Sequence, residues 1–350
     1  MIRLARGFLT SRERKMRFYL SAVLLATLGF SARAWSDEAP KNGTEWLQRA
    51  ADQMNLRAFG SAPFHMKVAF HAFPGIVLSK EKSDQIISGD GTYEEIWAAP
   101  HEWRREVTFA SYHAIEVESQ AGRKMQASSD YEPSRVLMLL QQLIYPIPRM
   151  FSSPSRMGRH LHWKIRSGKA SGEPYVMIGE DPGYLFLPTG ELLQSIYRGV
   201  VTDFTKPVVF NGKLVAQRIQ MHGGNKQDLL TADLTVEPAG QVAAGAFTLP
   251  GDPAEPGMTL RPLDFADYNF SPSGKSYLPI QTSGPTRAVG NLRRIVDRHG
   301  IVHEFEVLYS PNPENFAPIL PEMRDDKFRP PPMIDKSPCE IVQVVIFSPN

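Results

Sequence analysis

From Phe64 the apolar residues fall at every second position: Phe64, Met66, Val68 and Phe70 alternate with His65, Lys67, Ala69 and His71. A side-chain period of two belongs to an extended strand with one buried face. Segments of the same kind follow from Gly91 to Ala98, Trp103 to Phe109, His113 to Ser119 and Arg123 to Ser128, separated only by SGDG, AAPHE, SY and QAG. Connections this short join antiparallel neighbours, because a parallel pair needs a crossover of a dozen or more residues. The spacing therefore predicts a run of consecutive antiparallel strands.

Two segments break this rhythm. Leu47, Ala50, Ala51, Met54 and Ala58 keep helical spacing, so a helix is predicted from Glu45 to Phe59 with Asn42 or Thr44 as its cap. Asn42 with Glu45 three residues on has the form of a capping box, which explains NGT better than a glycan site does. The segment SRVLMLLQQLIY, Ser134 to Tyr145, reads as a helix that is apolar nearly all round and therefore buried on most sides. Strands resume where Leu161, Trp163 and Ile165 alternate with His160, His162 and Lys164, and where Leu230, Ala232, Leu234 and Val236 alternate with Leu229, Thr231, Asp233 and Thr235. The fold class expected is α+β, an antiparallel half-barrel wrapped around helices.

At 350 residues the chain exceeds one ordinary domain of roughly 100–200 residues. The composition shifts between Pro250 and Pro285 to PGDPAEPG, SPSGKSYLP and SGP, too rich in Pro, Gly and Ser for regular elements. The expected organisation is a β-rich domain over 41–250, a linker over 251–285 with Phe265, Tyr268 and Phe270 as candidate anchors, and a small domain over 286–350. In the last, NLRRIVD and IVHEFEVLY flank RHG as a hairpin, a helix is expected from Glu314 to Asp326, and EIVQVVIF closes as a strand.

The first 34 residues hold seven basic side chains, one acid, Glu13, and the apolar run FYLSAVLLATLGF, and they end in the small residues of SARA at Ala34. A basic stretch, a short apolar run and small residues at Ala32 and Ala34 form the layout of a secretory signal peptide over 1–34, with Met16 as a second candidate start. The apolar run is shorter than the roughly 20 residues of a membrane span, and a retained N-terminal anchor is the alternative. Seven bases less one acid give the segment +6, which leaves the remainder at −4 where the whole chain is at +2. The expected location is the periplasm. No run of Lys and Arg remains to hold nucleic acid. Cys339 is the single cysteine, so no disulfide forms within the chain.

The final segment, Thr286 to Phe347, resembles the C-terminal domain of TonB-like envelope proteins, through Gly290, VDRHG at 296–300, the alternating IVHEFEVLY, and DKFRP at 326–330. The family's Tyr-Pro lead-in is missing, and Pro318 and Pro321 interrupt the expected helix. The resemblance implies a protein-interaction domain that recruits an envelope partner along a sheet edge. Residues 44–250 resemble the lipoprotein carriers and sorting proteins of the LolA type, through GTYEEIWAAPHEWRRE and GYLFLPTGELLQ. That resemblance implies an antiparallel half-barrel closed by helices, with an apolar cavity for a lipid or lipoprotein acyl chain.

The candidate ligand-binding residues are Met66, Val68 and Phe70 on one strand, Trp103, Val107 and Phe109 on another, and Leu137 and Leu140 on the apolar helix. The resemblance maps a cavity arginine onto Arg104, whereas alternation puts Arg105 on the face of Trp103, Val107 and Phe109. A filled, dry core made of the same residues is the alternative to a chamber. No catalytic residue, cofactor or metal site is expected: HExxH and GxSxG are absent, Asn269 stands where a phosphate loop needs its first glycine, and His299 and His303 straddle a turn. His160 and His162 have no evident third ligand. The expected function is non-enzymatic, either a carrier of an acylated ligand or an adaptor working only through protein contacts.

Overall fold

The computed structural model describes residues 40–77, 86–147, 163–251 apart from 171–172, 181, 198, 225, 244 and 250, then 255–256, 290–321 apart from 319, and 341–347. The expected signal segment, most of the expected linker, His160, His162 and Cys339 lie outside these residues.

Helix α1 (Gly43–Met54) is followed by five strands in chain order, β1 (Phe64–Ala72), β2 (Gly89–Ala99), β3 (Glu102–Phe109), β4 (Tyr112–Ser119) and β5 (Gly122–Ala127). Helix α2 (Ser134–Ile144) comes next, and seven further strands follow it: β6 (Ile165–Ala170), β7 (Glu173–Gly179), β8 (Gly183–Phe186), β9 (Leu192–Tyr197), β10 (Val200–Phe210), β11 (Lys213–Gly223) and β12 (Asp228–Pro238). They form one open antiparallel sheet in the order β5-β4-β3-β2-β1-β12-β11-β10-β9-β8-β7-β6, with a two-residue strand β13 (Glu255–Pro256) on the edge of β5. The chain thus lays down one wing as a meander, passes through α2, and lays down the other wing back toward β1. The last strand closes the circuit, since β12 pairs with β1 from Phe64↔Pro238 to Ala72↔Leu230.

Inward-facing residues of both wings and both helices share one continuous core, including Leu47 of α1, Leu139 of α2, Phe109 of β3 and Met221 of β11. A flat sheet cannot bring its two wings into one core, so the sheet wraps around its helices. Trp46 of α1 packs on Phe186 of β8 with ring centroids 5.8 Å apart.

Asn42 caps α1 as the sequence indicates: its Oδ1 accepts from Glu45 N at 3.0 Å, and Glu45 Oε2 accepts from Lys41 N at 2.7 Å. The helix ends at Met54, short of the expected Phe59, because Asn55 turns extended and accepts from Arg57 N through its side chain at 3.0 Å. The long hairpin of β10 and β11 is not among the expected strands. Its turn is Asn211-Gly212, with φ of 50° and 74°, the paired positive angles that suit the twist of a two-residue hairpin loop.

The C-terminal segment forms a second sheet in the order β15-β14-β16, from β14 (Gly290–Val296), β15 (Val302–Tyr309) and β16 (Ile341–Phe347). The β14–β15 turn is held by Asp297, whose Oδ1 accepts from His299 N at 2.8 Å and Ile301 N at 2.9 Å. Gly290 has φ of 144°, and a Cβ there would lie 2.0 Å from Tyr309 O, so no larger residue fits. At the start of the helix expected from Glu314, a single 3₁₀ turn spans Pro313–Phe316, and residues 322–340 are outside those described. This sheet packs against the β-rich domain: Val307 N donates at 3.0 Å to Ile76 O in the β1–β2 connection, and Leu308 belongs to the main core.

Candidate functional site

The register of β1 to β3 puts the expected residues side by side. Met66, Val68 and Phe70 face Glu95, Tyr93 and Gly91 on β2, which face Arg105, Val107 and Phe109 on β3. Paired residues of neighbouring strands point to the same face of a sheet, so these side chains share the concave side. Phe70 and Phe109 pack with centroids 5.3 Å apart, and the Phe70 ring covers Gly91, where a Cβ would meet its Cζ at 2.3 Å. Met66, Val68, Phe70, Trp103, Val107 and Phe109 are all buried.

The helix residues divide. Leu140 joins this core, whereas Leu137 packs with Ile295 of β14 and Tyr131 in a separate cluster. The arginines divide as well, as alternation indicates. Arg105 is buried on the concave face, and Arg104 lies on the other, donating to Glu106 at 3.0 Å.

A charge cluster interrupts the apolar face, and of its members only Arg105 is among the residues expected from the sequence. Glu95 is fully buried and accepts from Arg57 Nε at 2.9 Å, Arg105 Nε at 3.2 Å and Tyr93 OH at 2.8 Å. Arg57 reaches it from the α1–β1 connection and also donates to Leu143 O of α2 at 2.9 Å, tying sheet, connection and helix together. Burial pushes the Glu95 carboxyl up, but the guanidinium groups of Arg57 and Arg105 outweigh it and hold the group down at about 2.

Arg105 also lies over the Trp103 ring, its Cζ 4.1 Å from the centroid, and Arg123 approaches the same ring at 5.2 Å. Glu116 pairs with Arg123 and stands 3.7 Å from Arg105. Beside them Tyr112 OH donates to Glu132 at 3.3 Å. Burial, with the Glu116 charge added, pushes the Glu132 carboxyl up to about 7.

The signal for Glu95 is present in the sequence: β2 alternation puts it between Tyr93 and Trp97 on the inward face, a core position where an acid requires a buried partner. Nothing local marks Arg57 as that partner, 38 residues away. Among the described residues, no three histidine, cysteine or acidic side chains gather as metal ligands would. His303 stacks on Tyr131 and contacts Asp297 Oδ2 at 2.8 Å.

No family model matches the chain, and no curated protein does. Among solved structures, a DUF1329 family protein from Desulfovibrio piger is 7% identical with a TM-score of 0.35, covering 59% of this chain and 95% of that one. A LolA superfamily protein from Nitrosomonas europaea is 11% identical with a TM-score of 0.27, covering 59% and 97%. The MucA/MucB complex of Pseudomonas aeruginosa gives 13% and 0.22, covering 62% and 64%. These are distant likenesses, and they assign neither a ligand nor a partner to this chain.

Proposed function

We propose that this is a non-enzymatic protein of the cell envelope that takes up the acyl chain of a lipid or lipidated protein between the concave face and α2. The observation that supports this reading is the apolar inward face of β1 and of β3 on either side of Arg105, which shares one core with a helix that is itself apolar. Each methylene moved from water into such a layer brings about 0.8 kcal/mol, so a chain of about ten would bring about 8 kcal/mol before the cost of ordering it. The cluster of Arg57, Arg105 and Arg123 would sit beside the polar end of the ligand. The signal-like leader supports an envelope location.

Native mass spectrometry of protein purified from the periplasm without added lipid tests this. A co-purifying acyl-chain mass is expected. A clean apoprotein mass, together with no binding of added fatty acid, rejects the carrier reading.

A second reading assigns function to the C-terminal sheet. The order β15-β14-β16 leaves β16 at an edge, and an edge strand can add a strand from a partner protein, as the TonB-like resemblance implies. Partner capture that survives deletion from Thr286 onward rejects it.

A further inference from the structure

Helix α2 does not provide its own N-terminal cap. Pro133 occupies the cap position without a side-chain hydrogen bond, and the first turn contains no acid. A helix start leaves amide groups without partners and carries partial positive charge, so an acid is favoured there. It comes from β15: Ser134 N donates to Glu304 Oε2 at 3.0 Å, across 170 positions of sequence.

The next residue is held from the same strand. Arg135 donates through Nη1 to Glu306 Oε2 at 2.9 Å and through Nη2 to Glu306 Oε1 at 2.6 Å, with both side chains buried. Arg293 of β14 completes the group, pairing with Glu306 and donating to Ser134 Oγ at 3.2 Å. The approach to the helix is held too, by Tyr131 stacked on His303 with centroids 4.0 Å apart and by Arg298 Nη2 donating to Asp130 at 3.2 Å. The β-rich domain holds the helix as well, since Arg135 Nη2 donates to Phe73 O at 3.1 Å and Val136, Leu139, Leu140 and Leu143 join the main core.

We propose that the β14–β15 hairpin is a latch on α2: it supplies the cap and the counter-charges of the helix's first turn, so uncovering of the concave face is controlled from the C-terminal segment. The uptake half of this inference rests on the acyl-chain reading above; the latch itself does not. Apolar contacts alone allow a helix to slide on a sheet, whereas a bidentate ion pair fixes one position and makes release a discrete event.

Hydrogen–deuterium exchange on the full chain, with uptake of cis-parinaric acid measured in parallel, tests the proposal in Glu304→Ala and Glu306→Gln. Amides of the first turn of α2 should exchange about fivefold faster or more, as loss of a cap implies, while those of β1 and β2 keep their wild-type rates. Probe uptake should quicken in the same variants. Unchanged α2 exchange overturns the latch, and so does a uniform rise across β1, β2 and α2, which would mark general destabilisation. If either variant does not fold, His303→Ala removes a contact at the margin of the cluster and should give the same local pattern at smaller size; a wild-type pattern there overturns the latch. Faster α2 exchange without probe uptake in any protein retires the acyl-chain reading and leaves the latch standing.

Discussion

Replacing Glu95 by glutamine should destabilise the protein by about 3–5 kcal/mol, the usual cost of removing one member of a buried ion pair. The side chain keeps its shape, but Arg57 and Arg105, each about one-tenth exposed, lose the carboxylate that compensates their burial. Against a total stability of about 5–15 kcal/mol this is a large fraction. In urea, with a slope of about 2 kcal/mol/M, the midpoint should fall by roughly 2 M. Glu94→Gln is the control: the Glu94 side chain is 48% exposed and pairs with His65, so its effect should stay within about 0.5 kcal/mol. The pH dependence has a definite sign. With the folded carboxyl at about 2 and an ordinary value of 4.5, the Glu95 contribution is complete above pH 4.5 and disappears as pH falls toward 2. Wild type and variant should therefore converge in acid. A Glu95→Gln shift no larger than that of Glu94→Gln would refute the buried-charge argument.

Glu132→Gln should act in the opposite direction. Between an ordinary 4.5 and the folded value of about 7 the folded state holds a proton that the unfolded state releases, so wild-type stability falls as pH rises through this window. The variant should gain up to about 3 kcal/mol relative to wild type at about pH 8 and nothing at about pH 4, measured by urea titration at both. Gly91→Ala should cost about 1–3 kcal/mol because the new methyl meets the Phe70 ring, and combining it with Phe70→Leu should cost less than the sum of the two single changes. Asn42→Ala should lower stability by about 1 kcal/mol through loss of the α1 cap, seen as a small drop in thermal midpoint.

The strands β1 to β3 were legible because each has a single buried face, and alternation records that directly: β1 runs buried at Phe64, Met66, Val68, Phe70 and Ala72. The same alternation separated Arg105 from Arg104. The β10–β11 hairpin was less legible, since Thr205, Lys206 and Pro207 are all exposed and interrupt the pattern, although Asn211-Gly212 marks the turn. Leu137 and Leu140 could not be told apart by sequence, because a helix apolar all round does not reveal which neighbour covers which side. Their separation depends on the hairpin at 290–309.

By itself the sequence determined the local terms: strand period, the Asn42 cap, the Asp297 turn, and antiparallel neighbours from short connections. These depend on interactions within a few residues, and the chain writes them in order. Only the tertiary structure decided that β12 closes on β1, that Arg57 meets Glu95, and that Glu304 and Glu306 hold α2. Each of those pairings joins residues 38 or more positions apart. A buried charge announces that it needs a partner, but burial and long-range geometry select which one.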